Sequence, residues 1–205
     1  MQPRWRPPVP ARDWSKAMAD IATLDVRTLR LGEVLTLDGL VHTGRDRFHK
    51  YLHDGGTLPP GVELRTAALY HCGPVMVREG GSWRMVAGGP TTSSREEPYE
   101  AEIIERFGLR VIIGKGGMGR QTAEACRKFG CVYLQAVGGA ATLIAGAVKC
   151  VEGVDFLEQF GAAEAMWHLR VAGFPVQVAM DAQGNSLYEA VAERSRARLD
   201  ALLGR

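Results

Sequence analysis

From Ser93 to Val148 the chain alternates helix and strand, with a glycine at almost every change of element, and this rhythm restricts it to a parallel α/β layer. Tyr99, Ile103, Ile104 and Phe107 fall at helical spacing, and Gly108 stands where that helix should stop. Ser93 or Ser94 is placed to cap it, with Glu96 or Glu97 completing a capping box. Leu109 to Ile113 reads as a strand, followed by the loop Gly114-Lys115-Gly116-Gly117-Met118-Gly119. Gln121 to Phe129 is a second amphipathic helix ending at Gly130, Cys131 to Val137 another strand, and Gly138-Gly139 opens an Ala-rich helix to Val148.

The flanks are less regular. Met1 to Arg12 is rich in Pro and Arg, without the apolar core of a secretory signal, and reads as a flexible arm. A short helix is expected over Asp13 to Ile21, so that residues 1–28 precede a single domain of residues 29–205. Leu29 to Leu40 alternates like a strand, and Arg47 to Leu52 is helical. Ala67 to Val77 is a buried strand interrupted at Cys72-Gly73-Pro74, and Trp83 to Ala87 is a short one. Ala165 to Val171 and Phe174 to Met180 read as two strands, Gln183-Gly184-Asn185 as a turn and Leu187 to Leu203 as a helix.

Composition narrows the function classes. With 205 residues, 46% of them hydrophobic, the chain can bury one substantial core. No apolar run approaches the roughly 18 residues that span a bilayer. The net charge of +2 is small and the charges are interspersed, so no basic stripe points to nucleic acid. Four cysteines, Cys72, Cys126, Cys131 and Cys150, form no C-x-x-C pair; reduced thiols in a cytoplasmic protein are the expectation.

Two loops carry the chemistry. Gly89-Pro90-Thr91-Thr92-Ser93-Ser94-Arg95 and Gly114 to Gly119 each put a polar or cationic side chain at a helix start, where free backbone N–H groups and the helix dipole favour an anion. Gly114, Gly116 and Gly119 also satisfy the dinucleotide fingerprint, but the ribose-binding acid expected roughly 20 residues on is missing from Cys131 to Val137. A structural glycine turn, or Lys115 facing an anionic ligand, are the other readings of that loop. Thr91 is equally compatible with plain turn chemistry, His49 and His71 with structural or catalytic roles, and Arg45-Asp46 with a local ion pair.

Four segments, in order, resemble the small subunit of class I fumarate hydratases and L(+)-tartrate dehydratases: Thr43-Gly44-Arg45-Asp46-Arg47-Phe48-His49, Tyr70-His71-Cys72-Gly73-Pro74, Gly89 to Arg95, and Gly114 to Gly119. The similarity continues through Val137-Gly138-Gly139-Ala140-Ala141, Ala165-Met166-Trp167 and Asp181 to Asn185, covering about Leu29 to Tyr188. It implies a swivelling β/β/α domain. It also implies an oxygen-sensitive [4Fe–4S] cluster held by three cysteines of a larger subunit, in a hetero-oligomer such as a dimer of heterodimers.

By the same resemblance, Arg45 and Arg95 would grip the carboxylates of a dicarboxylate through their planar forks. Lys115 would add a point charge, and Thr91 would abstract the proton once activated by a carboxylate from the partner. Two positions depart from the family: Glu96 stands where Met is common, and Phe48 replaces a small residue. The expected activity is hydration of fumarate to malate, with dehydration of L-tartrate to oxaloacetate as the alternative. A non-catalytic dicarboxylate-binding domain is the reading from another class.

Overall fold

A computed structural model describes residues 18–204. The elements, in chain order, are β1 (Met18–Asp20), β2 (Val34–Thr43), α1 (Asp46–His53), β3 (Ala68–Tyr70), β4 (Val75–Glu79), β5 (Ser82–Ala87), α2 (Glu97–Phe107), β6 (Val111–Gly114), α3 (Arg120–Phe129), β7 (Val132–Gln135), α4 (Ala141–Ala145), β8 (Val148–Asp155), α5 (Leu157–Phe160), β9 (Met166–Met180) and α6 (Leu187–Leu203). Short 3-10 turns cover Val26–Thr28 and Ser93–Arg95.

The central strands run parallel, as the rhythm requires: β1 on β2, β2 on β3, β3 on β6 and β6 on β7. Their apolar residues face both ways, as expected for a sheet covered on both sides. Ala68, Tyr70, Val111, Ile113, Val132 and Leu134 point into one core. Leu69, Ile112 and Tyr133, between them in sequence, point into a second core under α1, α2 and α3, with Phe48, Leu52, Ile103, Ile104 and Cys126. The α/β expectation is met. Gly108 and Gly130 end α2 and α3 in the left-handed conformation, as the glycine spacing suggests.

The antiparallel part differs from expectation. Ala165 to Val171 and Phe174 to Met180 are not separate strands but lie almost wholly within one 15-residue strand, β9. A bulge explains the sequence signal. Core-facing residues change parity between Val171 and Phe174, opposite the register shift between Leu37 and Gly39 in β2. β9 pairs antiparallel with β2 through His168 to Gln177, with β7 through Gln177 to Met180, and with β8. Strands β2, β3, β6, β7 and β9 therefore close into a ring around the first core. The hairpin β4–β5 packs Met76, Trp83 and Met85 against that core, Trp83 meeting Trp167 edge-on.

Three further expectations are corrected. The helix drawn over Asp13 to Ile21 lies partly outside the described residues, and its described part contains strand β1, paired to β2. Ile21 and Val26 are buried in the first core, so the stretch just before residue 29 is packed rather than arm-like. The Ala-rich helix shortens to α4, and Val148 opens β8. Among the described residues, no helix is long and apolar enough to cross a membrane.

Candidate functional site

The sheet puts the candidate residues at one edge. Thr43, Tyr70, Gly114 and Gln135 end the parallel strands β2, β3, β6 and β7, and the chain leaves each of them into a loop carrying a motif. The crevice beyond the carboxyl ends of parallel strands is where such sheets bind ligands. Arg45 follows β2, His71-Cys72-Gly73-Pro74 follows β3, Lys115 follows β6 and Gly138-Gly139 follows β7. The Thr91 loop is drawn to the same edge by backbone contacts. The Thr91 N–H donates to the His71 carbonyl at 2.6 Å, Cys72 bridges Pro90, and Thr92 bridges Lys115.

The cations have different surroundings. Arg45 donates from Nε to Glu164 Oε1 at 2.6 Å, and its guanidinium packs where a Cβ on Gly73 would stand, 2.6 Å from Nη1. Arg95 donates from Nη2 to Asp46 Oδ2 at 2.7 Å, at the surface. The local Arg45–Asp46 pair is thus replaced by two longer-range pairs, 119 and 49 residues apart in sequence. Lys115 is half-buried, its stem passing 3.6 Å from a Cβ placed on Gly138. Among the described residues no carboxylate pairs with its ammonium, and nothing hydrogen-bonds the Thr91 hydroxyl.

The glycine loop is not an anion cradle. Two of its amides are already engaged by this chain: Lys115 N donates to Ser93 Oγ at 3.2 Å and Gly119 N to Glu97 Oε2 at 2.6 Å. At the start of α3, Glu97 accepts from the N–H groups of Gly119, Gln121 and Thr122 and from the Thr122 hydroxyl, at 2.6 to 3.3 Å. That carboxylate occupies the positive end of the helix, the place the sequence reading reserved for a ligand. The glycines make room for side chains. A Cβ on Gly114 would lie 1.9 Å from Ser93 Oγ, and one on Gly119 would lie 2.6 Å from Glu97 Oε1. A pyrophosphate at this helix start would have to displace the Glu97 carboxylate, which argues against the dinucleotide reading.

The capping box is also absent. Neither Ser93 nor Ser94 caps α2, because Ser93 turns inward and Glu97 reaches across to α3. Behind the loops lies a fully buried polar array. Ser93 Oγ meets His71 Nδ1 at 2.9 Å, Tyr133 Oη at 3.0 Å and Lys115 N at 3.2 Å. Glu100 Oε2 is 3.0 Å from His49 Nε2 and 3.2 Å from His71 Nε2, the second approach too far off line for a full hydrogen bond. His49 Nδ1 sits 2.9 Å from the Arg45 carbonyl.

Charges in this array follow from burial and neighbours. Burial alone would raise the Glu100 carboxyl, but His49 and His71 outweigh it and hold Glu100 down at about 2. Burial opposes charge on both histidines; Glu100 lifts His49 above its usual value, whereas burial leaves His71 below it. Glu96 is buried with both oxygens unpartnered, and burial pushes it up to about 7. The array joins His49 and His71, ambiguous in sequence, to Glu100 and Tyr133, which carried no sequence signal.

The four cysteines sit in unlike surroundings. Cys72, Cys126 and Cys131 are buried and Cys150 is exposed. Burial pushes the Cys72 thiol up to about 12 and Cys131 well up, the opposite of what a thiolate ligand needs.

Comparison with known proteins completes the picture. The family model described as "Fumarase C-terminus" matches residues 14–191. A protein provisionally named fumarate hydratase class I, from Geobacillus stearothermophilus, is 49% identical over 182 residues, covering 88% of this chain but only 35% of that protein. A protein provisionally named L(+)-tartrate dehydratase subunit beta, from Methanocaldococcus jannaschii, is 40% identical over 88% of this chain and 94% of its own. The L(+)-tartrate dehydratase subunit beta of Escherichia coli K12 is 39% identical over 80% of this chain and 81% of its own.

Proposed function

Because the chain belongs to the fumarase C-terminus family, we propose that it is the small subunit of a two-component hydro-lyase that hydrates fumarate to malate. The observation that carries this reading is the edge itself: a Lys115 ammonium and a Thr91 hydroxyl that find no partner among the described residues, on the edge to which Arg45 and Arg95 also belong. A dicarboxylate supplies the missing negative charge. Fumarate is the first reading, and the relatives carry names for both activities, which does not separate them. The tartrate-named relatives, closer to this chain in length, keep L-tartrate dehydration to oxaloacetate as the second reading.

Arg45, its Nε fixed by Glu164, presents its remaining N–H groups to one carboxylate. Arg95, tethered to Asp46, serves the other. Lys115 stabilises the charge that builds on a carboxylate as the neighbouring proton leaves. Thr91 exchanges that proton through its hydroxyl oxygen. An alkoxide at this position needs a base beside it, and the described residues offer no carboxylate to the Thr91 hydroxyl, so the activating group belongs to the large subunit. The [4Fe–4S] cluster of the resemblance does not fit this chain's cysteines and is assigned to three cysteines of that subunit.

An anaerobic assay of the reconstituted pair on fumarate and on L-tartrate tests the proposal. Turnover of neither, with binding retained, would leave the non-catalytic dicarboxylate-binding domain in its place. Thr91→Ala is expected to lower kcat by roughly 100-fold or more with little change in KM. Lys115→Ala should lower kcat/KM by a comparable factor, about 100-fold. Wild-type turnover in both variants would remove the assigned site.

A further inference from the structure

The contacts of the buried array order its protons. Tyr133 Oη donates to Ser93 Oγ at 3.0 Å. Ser93 Oγ also accepts from Lys115 N, which leaves its hydroxyl proton for His71 Nδ1. His71 therefore carries its single proton on Nε2, toward Glu100. His49 faces an acceptor on each side, the Arg45 carbonyl at Nδ1 and Glu100 Oε2 at Nε2, so it must hold a proton on both nitrogens. One imidazolium, one carboxylate and one neutral imidazole match these contacts, with the His71 Nε2 proton aimed off line at Glu100 and Glu100 Oε1 left without a hydrogen bond.

The two ends of the array are the two loops of the site. His49 grips the carbonyl of Arg45, and Ser93 grips the amide of Lys115. We infer that Ser93, His71, Glu100 and His49 form one positioning device that fixes the Arg45 loop relative to the Lys115 loop. It acts through these residues and touches no substrate. The inference rests on the proposed function for its kinetic consequence, but its proton arrangement stands on geometry alone. The same three groups, His49, His71 and Glu100, have ligand atoms within 4.8 Å of one another, a spacing that a divalent metal could use. The direct 3.0 Å contact between His49 Nε2 and Glu100 Oε2, and the acceptor facing His49 Nδ1, favour protons instead.

Nitrogen-15 spectra of the full chain near neutral pH are expected to show His49 protonated at both nitrogens and His71 at Nε2 only. A bare nitrogen on His49, a proton on His71 Nδ1, or a stoichiometric divalent metal at these side chains would overturn the assignment. Ser93→Ala is expected to speed hydrogen exchange at the Lys115 amide about tenfold. In the reconstituted enzyme it should raise KM for the dicarboxylate several-fold more than it lowers kcat. His71→Gln can accept from Ser93 and donate to Glu100, so it is expected to keep near-wild-type KM. His49→Gln lacks the second donor and the charge, and should not.

Equal effects of the two glutamines, or unchanged exchange and KM in Ser93→Ala, sink the positioning role. If His49→Gln fails to fold, the spectra and Ser93→Ala decide alone. If the wild-type pair shows no hydro-lyase activity while spectra and exchange agree, the proposed function has failed and the device has not.

Discussion

Glu96 is a carboxyl folded into a place that offers it no hydrogen bond. Its nearest cation is His49, 3.8 Å away and already committed to Glu100. Burial raises it to about 7 from the ordinary 4.5, so the folded state favours the protonated form. Its presence is tolerated below 4.5, and the cost of burying its charge grows as pH rises from 4.5 through 7. Glu96→Met, which restores the residue common in the resembled family, is therefore expected to stabilise the chain by about 2 kcal/mol more at pH 8.5 than at pH 4.5. Urea melts at the two pH values measure this, and an equal gain at both would show that the carboxyl is not strained by its charge. Sequence could name Glu96 as a departure from the family. It could not show that the position is buried, because the helix-start pattern around it placed the acids on a solvated first turn.

At the scale of elements, Glu97 links two helices that sequence reads separately. It belongs to the first turn of α2, yet its hydrogen bonds all serve the start of α3. Glu97→Ala is expected to cost about 1–2 kcal/mol, the loss of a charged helix cap, and to speed amide exchange at Gln121 and Thr122. Unchanged exchange there would mean that the cap carries no energy. This element also shows where reading the sequence succeeds. Local signals survive folding: Gly108 and Gly130 as stops, Gln121 to Phe129 as an amphipathic helix, and the three parallel strands β3, β6 and β7. Contacts between distant residues do not announce themselves. Glu97 sits 22 positions before Gly119, and Ser93 the same distance before Lys115. The glycine spacing was legible, but the side chains for which it makes room were not.

The molecule as a whole is a closed ring with one element projecting from it. Helix α6 has no buried residue, and Val191, Leu199, Leu202 and Leu203 are exposed along it. Among the described residues its first turn is what ties it to the body, through Tyr188, whose hydroxyl donates to Gln135. The family match stops at residue 191. Removing residues 193–205 is expected to change the unfolding free energy by less than about 1 kcal/mol, because almost no apolar surface leaves the core. A thermal melt of the shortened chain checks this, and a large loss would place part of α6 in the core.

The ring has a consequence in time. Its last strand, β9, is the one that pairs with β2 near the beginning of the described chain, with β7 and with β8. Until residue 180 has left the ribosome, β2 and β7 remain open edges with unpaired backbone groups, and the first core lacks Trp167, Leu169, Val171, Phe174, Val176 and Val178. Such edges invite pairing with other chains. Closing them joins residues more than 120 positions apart, as Thr43 with Ala165 and Trp167 shows, a step that is slow in any topology built on distant contacts. The vulnerable form of this protein is thus the nascent one, with helices α1 to α5 made and the final strand still to come.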